Sequence, residues 1–154
     1  VASKTPPAAA SQKGERPPAA EISIPSDPAE ARRLGEELEA LLRGSNAHTK
    51  DVFSIKLAVE EALVNAIKHG NQMDRAKQVR ISYRLHADRF EVSVSDEGAG
   101  FDPTDVPDPT AIENLERPCG RGLMLMRHYM SEVAFNDRGN SVSMCKHFSK
   151  NGKM

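Results

Sequence analysis

The chain is predicted to fold as a two-layer α/β sandwich, in which a mixed, largely antiparallel sheet carries helices on one face. Three observations predict this. Val79, Ile81, Tyr83 and Leu85 alternate with polar residues, and Phe90, Val92 and Val94 do the same beyond the turn Ala87-Asp88-Arg89, so two half-buried strands follow one another. Three other stretches place apolar residues at helical spacing. The resulting order is strand, helix, helix, two strands, an irregular segment, helix, two strands, which supplies enough helices to cover one sheet face.

Each element has a local reason. Ile22 and Ile24 point one way in a short strand that Pro25 ends, which suits an edge position. Asp27 is a good N-cap, Pro28 fits the first turn and Glu30 stands at the capping-box position, so a helix opens there. Ala31, Leu34, Leu38, Leu41 and Leu42 form its buried stripe, and Gly44 stops it. Residues 48–69 form the second helix, with Val52, Ile55, Val59, Ala62, Leu63 and Ala66 on the core face and Gly70 as its stop. The polar run 71–76 is a loop. Leu123 to Met130 is a helix whose methionines pack the core. Residues 131–136 and 141–148 are the last strands, joined by a turn at Asp137-Arg138-Gly139-Asn140.

The 154 residues allow one domain with a sizeable core, expected over 21–148. Residues 1–20 are rich in Ala, Pro, Ser, Lys and Gln and read as a disordered leader, and 149–154 as a tail. The net charge of −1 offers no electrostatic case for nucleic acid or an anionic membrane. No apolar run approaches the length of a membrane span and residues 1–20 lack a signal-peptide core, so a cytosolic (cytoplasmic) protein is expected. Cys119 and Cys145 have neither metal-ligand nor redox-pair spacing and read as two reduced thiols.

The second helix also carries chemistry. Glu61 and Asn65 are four apart, so they stack on a face flanked by Leu57 and Val64. A solvated face seldom sets large aliphatics beside its polar pair. A carboxylate one turn from a carboxamide suits phosphoryl transfer with magnesium: the amide oxygen is a hard ligand, and the carboxylate orients or deprotonates a nucleophile. Both residue types are also ordinary on a helix surface. Further on, the strand alternation turns Asp96 to the same side as Phe90, Val92 and Val94, so an acid is expected on the buried face, where it needs hydrogen-bond donors. An aspartate capping the next turn is the plainer alternative. Gly98 and Gly100 allow a tight turn and close approach to a flat ring. Residues 101–119 hold four prolines and five acids in an irregular segment that reads as a lid or a disordered insert. Gly120-Arg121-Gly122 then precedes a helix start, where backbone N–H groups and the helix dipole favour phosphate.

Those three blocks, in that order, resemble the ATP-binding fold (the Bergerat, or GHKL, fold) of gyrase, the Hsp90 chaperones, sensor histidine kinases and MutL. Glu-Ala-x-x-Asn-Ala-x-x-His-Gly, here Glu61 to Gly70, is closer to one branch, the bacterial anti-sigma-factor serine/threonine protein kinases. The resemblance spans about Ile22 to Phe148. It implies bound ATP or ADP with Mg²⁺. Asp96 would read adenine beside Gly98 and Gly100, Asn65 would hold the metal, and Gly120, Arg121 and Gly122 would line the phosphates under a lid at 101–119. Ser141 would add a water-mediated contact, and Glu61 would be the general base. Arg117 is the nearest match to the family's lid arginine, with Arg121 the rival, because Pro118-Cys119 makes the spacer before Gly120 one residue longer than in the sporulation kinase.

The resemblance further implies a homodimer that binds a sigma factor and phosphorylates an anti-anti-sigma (STAS-type) protein on serine or threonine. The alternative it leaves open is a catalytically weak nucleotide-binding module that sequesters another signalling protein. A sensor-kinase catalytic domain would need a dimerising helix pair with a phospho-acceptor histidine, which the expected leader does not supply.

Overall fold

A computed structural model describes residues 3–4, 18–98 and 118–149, with the side chains of 3–4 and 118–121 set aside. The strands are β1 (Ser3–Lys4), β2 (Ala20–Pro25), β3 (Gln78–Leu85), β4 (Arg89–Ser95), β5 (Glu132–Phe135) and β6 (Ser141–His147). The helices are α1 (Pro28–Arg43), α2 (Thr49–Val64) and α3 (Pro118–Tyr129), and a π-helical turn over Asn65–Gly70 continues α2. Two residues of the expected leader thus pair as a strand, Ser3 with Ser23 and Lys4 with Ile22.

The sheet runs β1-β2-β3-β4-β6-β5, and every pairing among the described residues is antiparallel. β4 and β5 point the same way, but β6 lies between them, so the parallel relation expected of a mixed sheet never becomes a pairing. The register lines up one apolar row across five strands: Ile22, Ile81, Val94, Val142 and Phe135 are successive partners. Tyr83, Val92, Met144 and Val133 form a second row. All but Val133 and Phe135 are buried, and these two pack against the same core. Leu34, Leu38 and Leu42 of α1, Val52, Ile55 and Val59 of α2, and Met126 of α3 close the core from the helix side. Each such aliphatic contributes about 1.5–3 kcal/mol through burial, so the two rows hold the sheet to its helices.

The helix ends follow their caps. Asp27 accepts from Ala29 N–H at 3.0 Å with Pro28 in the first turn, as its sequence implies. His48 caps α2 through a reciprocal box with Asp51: His48 Nδ1 accepts from Lys50 N–H, and Asp51 Oδ2 accepts from His48 N–H. Asp51 is buried and also accepts from the Ser149 N–H at 2.8 Å, which ties the first residue of the expected tail to α2. α3 begins at Pro118 rather than after the glycines, since a proline is preorganised for the first helical position. Gly120 and Gly122 therefore lie inside the helix, not ahead of it. No helix among the described residues is long and apolar enough to cross a membrane.

Candidate functional site

The end of α2 is where the site is built. From Asn65 the helix widens into a π turn, a device frequent at functional positions. Gly70 does not stop it with a left-handed residue. The positive φ angles fall at Gln72 (53°) and Met73 (62°) instead, and Asn71 N–H closes onto Ala66 C=O at 2.8 Å. Gly70 is needed for another reason: a Cβ there would overlap the Asp96 carboxylate. A Cβ at Gly98 would overlap the Gly70 carbonyl. The helix end and the β4 end thus meet at van der Waals limits, and only glycines fit at the seam.

Asn71 fastens that seam. It is fully buried, its Nδ2 donates to Ser26 Oγ (2.9 Å) and Gln78 C=O (3.0 Å), and its Oδ1 accepts from Glu97 N–H (2.8 Å). One side chain so joins four segments. The sequence hid this role, because Asn71 opens a polar run that reads as a loop; its position directly after the helix-stop glycine is the only hint.

Beside the seam lies a cavity of about 230 Å³ between α2, α3 and the β4–β6 end of the sheet. Asn65 and Asp96 supply polar side chains to its wall, and Ala62, Val94, Met126 and Phe135 supply apolar surface. Asp96 is half-buried, as the strand alternation predicts, and its Oδ1 accepts from Gly98 N–H at 2.8 Å. Burial pushes its carboxyl above the ordinary aspartate value, against the Gly98 hydrogen bond and the charge of Lys77, which act the other way. The capping reading of Asp96 is therefore realised through Oδ1, on a carboxylate that is also half-buried at the cavity wall.

Asn65 is half-buried on the same wall; its backbone N–H donates to Glu61 and Ala62 C=O, and its carboxamide makes no hydrogen bond among the described residues. A Cβ at Gly122 would overlap its Nδ2, so α3 reaches the Asn65 carboxamide only because residue 122 is glycine. Asn65, Gly70 and Asp96 thus line one opening, with Gly122 packed against Asn65 and Gly98 against Gly70 and Asp96 behind it. Ser141 also borders the cavity, but its hydroxyl pairs with Ser95 Oγ at 2.7 Å. Ser95 alternates with Val94 and Asp96, so that hydroxyl is turned to the outer face of the sheet. Glu61 stands one turn before Asn65, half-buried, and does not line the cavity. Gly100, Arg117 and the expected lid up to 117 lie outside the described residues. Gly120 and Arg121 are described only as α3 backbone; Gly120 lies in the first turn, whose N–H groups have no partner within the helix, and Arg121 follows it.

A hard cation fits this donor set. The Asn65 carboxamide lines the opening with no hydrogen-bond partner among the described residues, and magnesium is typically held by one or two protein oxygens with the substrate's phosphates completing the shell.

The serine-protein kinase RsbW of Bacillus licheniformis is 34% identical over 109 residues, covering 65% of this chain and 67% of that protein. RsbW of Bacillus subtilis (strain 168) is 29% identical over 136 residues, 84% of this chain and 85% of that one. The serine/threonine-protein kinase BtrW of Bordetella bronchiseptica is 28% identical over 99 residues, 62% and 70% of the two chains. Among solved structures, the RsbU and RsbW domains of Rv1364c from Mycobacterium tuberculosis match with a TM-score of 0.58 at 20% identity, over 85% of this chain and 32% of that longer one, which establishes the shared fold. The histidine kinase-like ATPase domain matches residues 24–146, and the chain belongs to that family.

Proposed function

We propose that the chain is an ATP-dependent protein serine/threonine kinase of the anti-sigma type, which binds a sigma factor and phosphorylates a STAS-type antagonist. The observation that carries this is the cavity wall lined by a half-buried Asp96 carboxylate and by an Asn65 carboxamide with no hydrogen-bond partner among the described residues. The similarity to kinases named RsbW and BtrW supports the protein substrate class.

The roles follow from the chemistry of each group. Asp96 Oδ2 accepts from the exocyclic amine of adenine while Oδ1 stays on Gly98 N–H. The cavity, about 230 Å³, is below the roughly 300–1,000 Å³ of drug-sized pockets, which suits a flat base with its phosphates projecting outward. Asn65 Oδ1 would hold Mg²⁺, which would supply charge neutralisation at the phosphates. The free N–H groups of the first α3 turn, that of Gly120 included, meet the phosphate oxygens, with Arg121 and Gly122 beside them. Glu61 takes the proton from the incoming hydroxyl as its oxygen bonds to the γ-phosphorus and ADP leaves. Arg117 or Arg121 stabilises the transferring group. The resemblance adds a cytoplasmic homodimer.

Glu61 stands outside the cavity wall, and this favours a second reading in which the chain holds nucleotide and sequesters a partner without catalysis. One experiment separates the two. The protein is used as bait in a native extract with Mg-ATP and, in parallel, Mg-ADP. Retained proteins are identified and then tested for phosphoserine or phosphothreonine with labelled ATP. A sigma factor in one lane and a phosphorylated small antagonist in the other support the kinase. Retention switched by nucleotide with no phosphorylation supports the second reading. Recovery of only unrelated signalling proteins removes the anti-sigma assignment.

A further inference from the structure

On the opposite face of the sheet, three ligating side chains converge. Glu132 of β5 and Cys145 of β6 are direct register partners, and His147 follows Cys145 by two residues on the same face. His147 Nε2 lies 3.5 Å from Glu132 Oε2 and 3.9 Å from Cys145 Sγ, and the three ligand atoms fall within 4.8 Å of one another. Tetrahedral zinc, with bonds of about 2.3 Å to sulfur and about 2.0–2.1 Å to nitrogen or oxygen, has edges of roughly 3.6 Å from S to N and roughly 3.3 Å from N to O. The His147–Glu132 and His147–Cys145 spacings exceed those edges by a few tenths of an ångström, within reach of side-chain rotation. Paired strands set this spacing. The sequence concealed it because Cys145 and His147 are two apart and Glu132 lies on another strand.

We propose that Glu132, Cys145 and His147 form a binding site for one zinc-class divalent cation, with the fourth position open to water. A thiolate and an imidazole select such an ion over the hard Mg²⁺ of the nucleotide site. Glu91, the partner of Cys145 on β4, adds negative charge to the row. Arg89, opposite His147 on β4, is paired with Asp88 at 3.0 Å and with Glu91 at 3.7 Å. The backbone supports the ligands too: His147 N–H donates to Ser131 Oγ at 3.0 Å, and Ser131 N–H donates to Cys145 C=O at 2.8 Å. The site shares short β5 with Phe135 of the cavity wall, but Glu132 points to the other face, so it is separate from the nucleotide site.

The test uses the full reduced, metal-free chain, titrated with CoCl₂ and then with ZnCl₂. The expected result is one cobalt per chain, with visible bands of tetrahedral cobalt and a near-ultraviolet thiolate-to-cobalt band, all displaced by zinc. Cys145→Ser abolishes the thiolate band. His147→Ala and Glu132→Ala, both at exposed positions, weaken zinc by more than about tenfold. Cys119→Ser leaves spectrum and affinity unchanged. The proposal is overturned if wild type shows no thiolate band, if the band follows Cys119 instead, or if the His147 and Glu132 variants bind zinc as wild type does.

Discussion

The Asp96 carboxylate fills the space that a side chain at Gly70 would occupy. This contact joins the end of the π turn to the end of β4, and it holds the acid at the cavity wall. Gly70→Ala would force the carboxylate to rotate and to give up its Gly98 hydrogen bond. The expected cost is about 1–3 kcal/mol of stability, with nucleotide affinity reduced as well. Gly98→Ala should cost more, because its Cβ meets the Gly70 backbone carbonyl, which cannot swing aside. Urea unfolding of both variants beside nucleotide titration checks the order; a Gly98→Ala protein as stable as wild type would refute it.

Asp96 also predicts a pH dependence. Burial raises its pKa, so the native chain keeps this proton to higher pH than the unfolded chain does. Its favourable contribution is complete below the unfolded pKa and is lost as pH rises through the folded one. Asp96→Asn removes that loss and keeps an acceptor for Gly98 N–H. The variant should be at least as stable as wild type at neutral pH, with a flatter stability profile through the weakly acidic range, while ATP binding weakens by about 2 kcal/mol. Chemical denaturation across pH, paired with calorimetric ATP titration, reads both effects.

Asn71 predicts a purely structural loss. Asn71→Ala removes the acceptor of the part-buried Glu97 N–H and the donor to Ser26 and Gln78, so about 3 kcal/mol of stability should go. The same variant frees the end of β4, and ATP affinity should fall with it. Denaturant midpoints and hydrogen exchange at Glu97 test this, and unchanged protection there would exclude the strut role.

How much of this was legible depends on period and reach. The strand alternation exposed the apolar rows and even the inward turn of Asp96, because period two persists to the end of β4. The i, i+4 spacing placed Glu61 and Asn65 on neighbouring turns. The π turn was not legible, since one extra residue per turn leaves no trace in a six-residue window. Neither was the role of Gly70, which rests on a side chain 26 residues away. The start of α3 was misjudged because Gly120 and Gly122 looked like a pre-helix loop, while Pro118 set the first turn. Ser141 borders the cavity, and the pairing of its hydroxyl with Ser95 follows from strand register, which a single strand read alone does not give.

Glu61 and Asn65 are expected to separate catalysis from binding. Asn65 lines the cavity and Glu61 does not, so the two substitutions should fail differently. Asn65→Ala removes the oxygen proposed to hold Mg²⁺, and Mg-dependent ATP affinity should fall while metal-free nucleotide binding is kept. Glu61→Gln leaves the cavity wall intact, so ATP affinity and partner retention should stay within a factor of about two, while phosphotransfer drops by about 10²–10⁴ if the carboxylate is the base. A serine-phosphorylation time course with the isolated antagonist, run beside ATP titrations of both variants, measures the split. If Glu61→Gln phosphorylates at the wild-type rate, the general base lies elsewhere, and a water-positioning or purely structural role for Glu61 follows. If ATP binding is lost with the carboxylate, then the helix face around Glu61 belongs to the nucleotide site itself, and the cavity extends one turn further along α2 than its present wall.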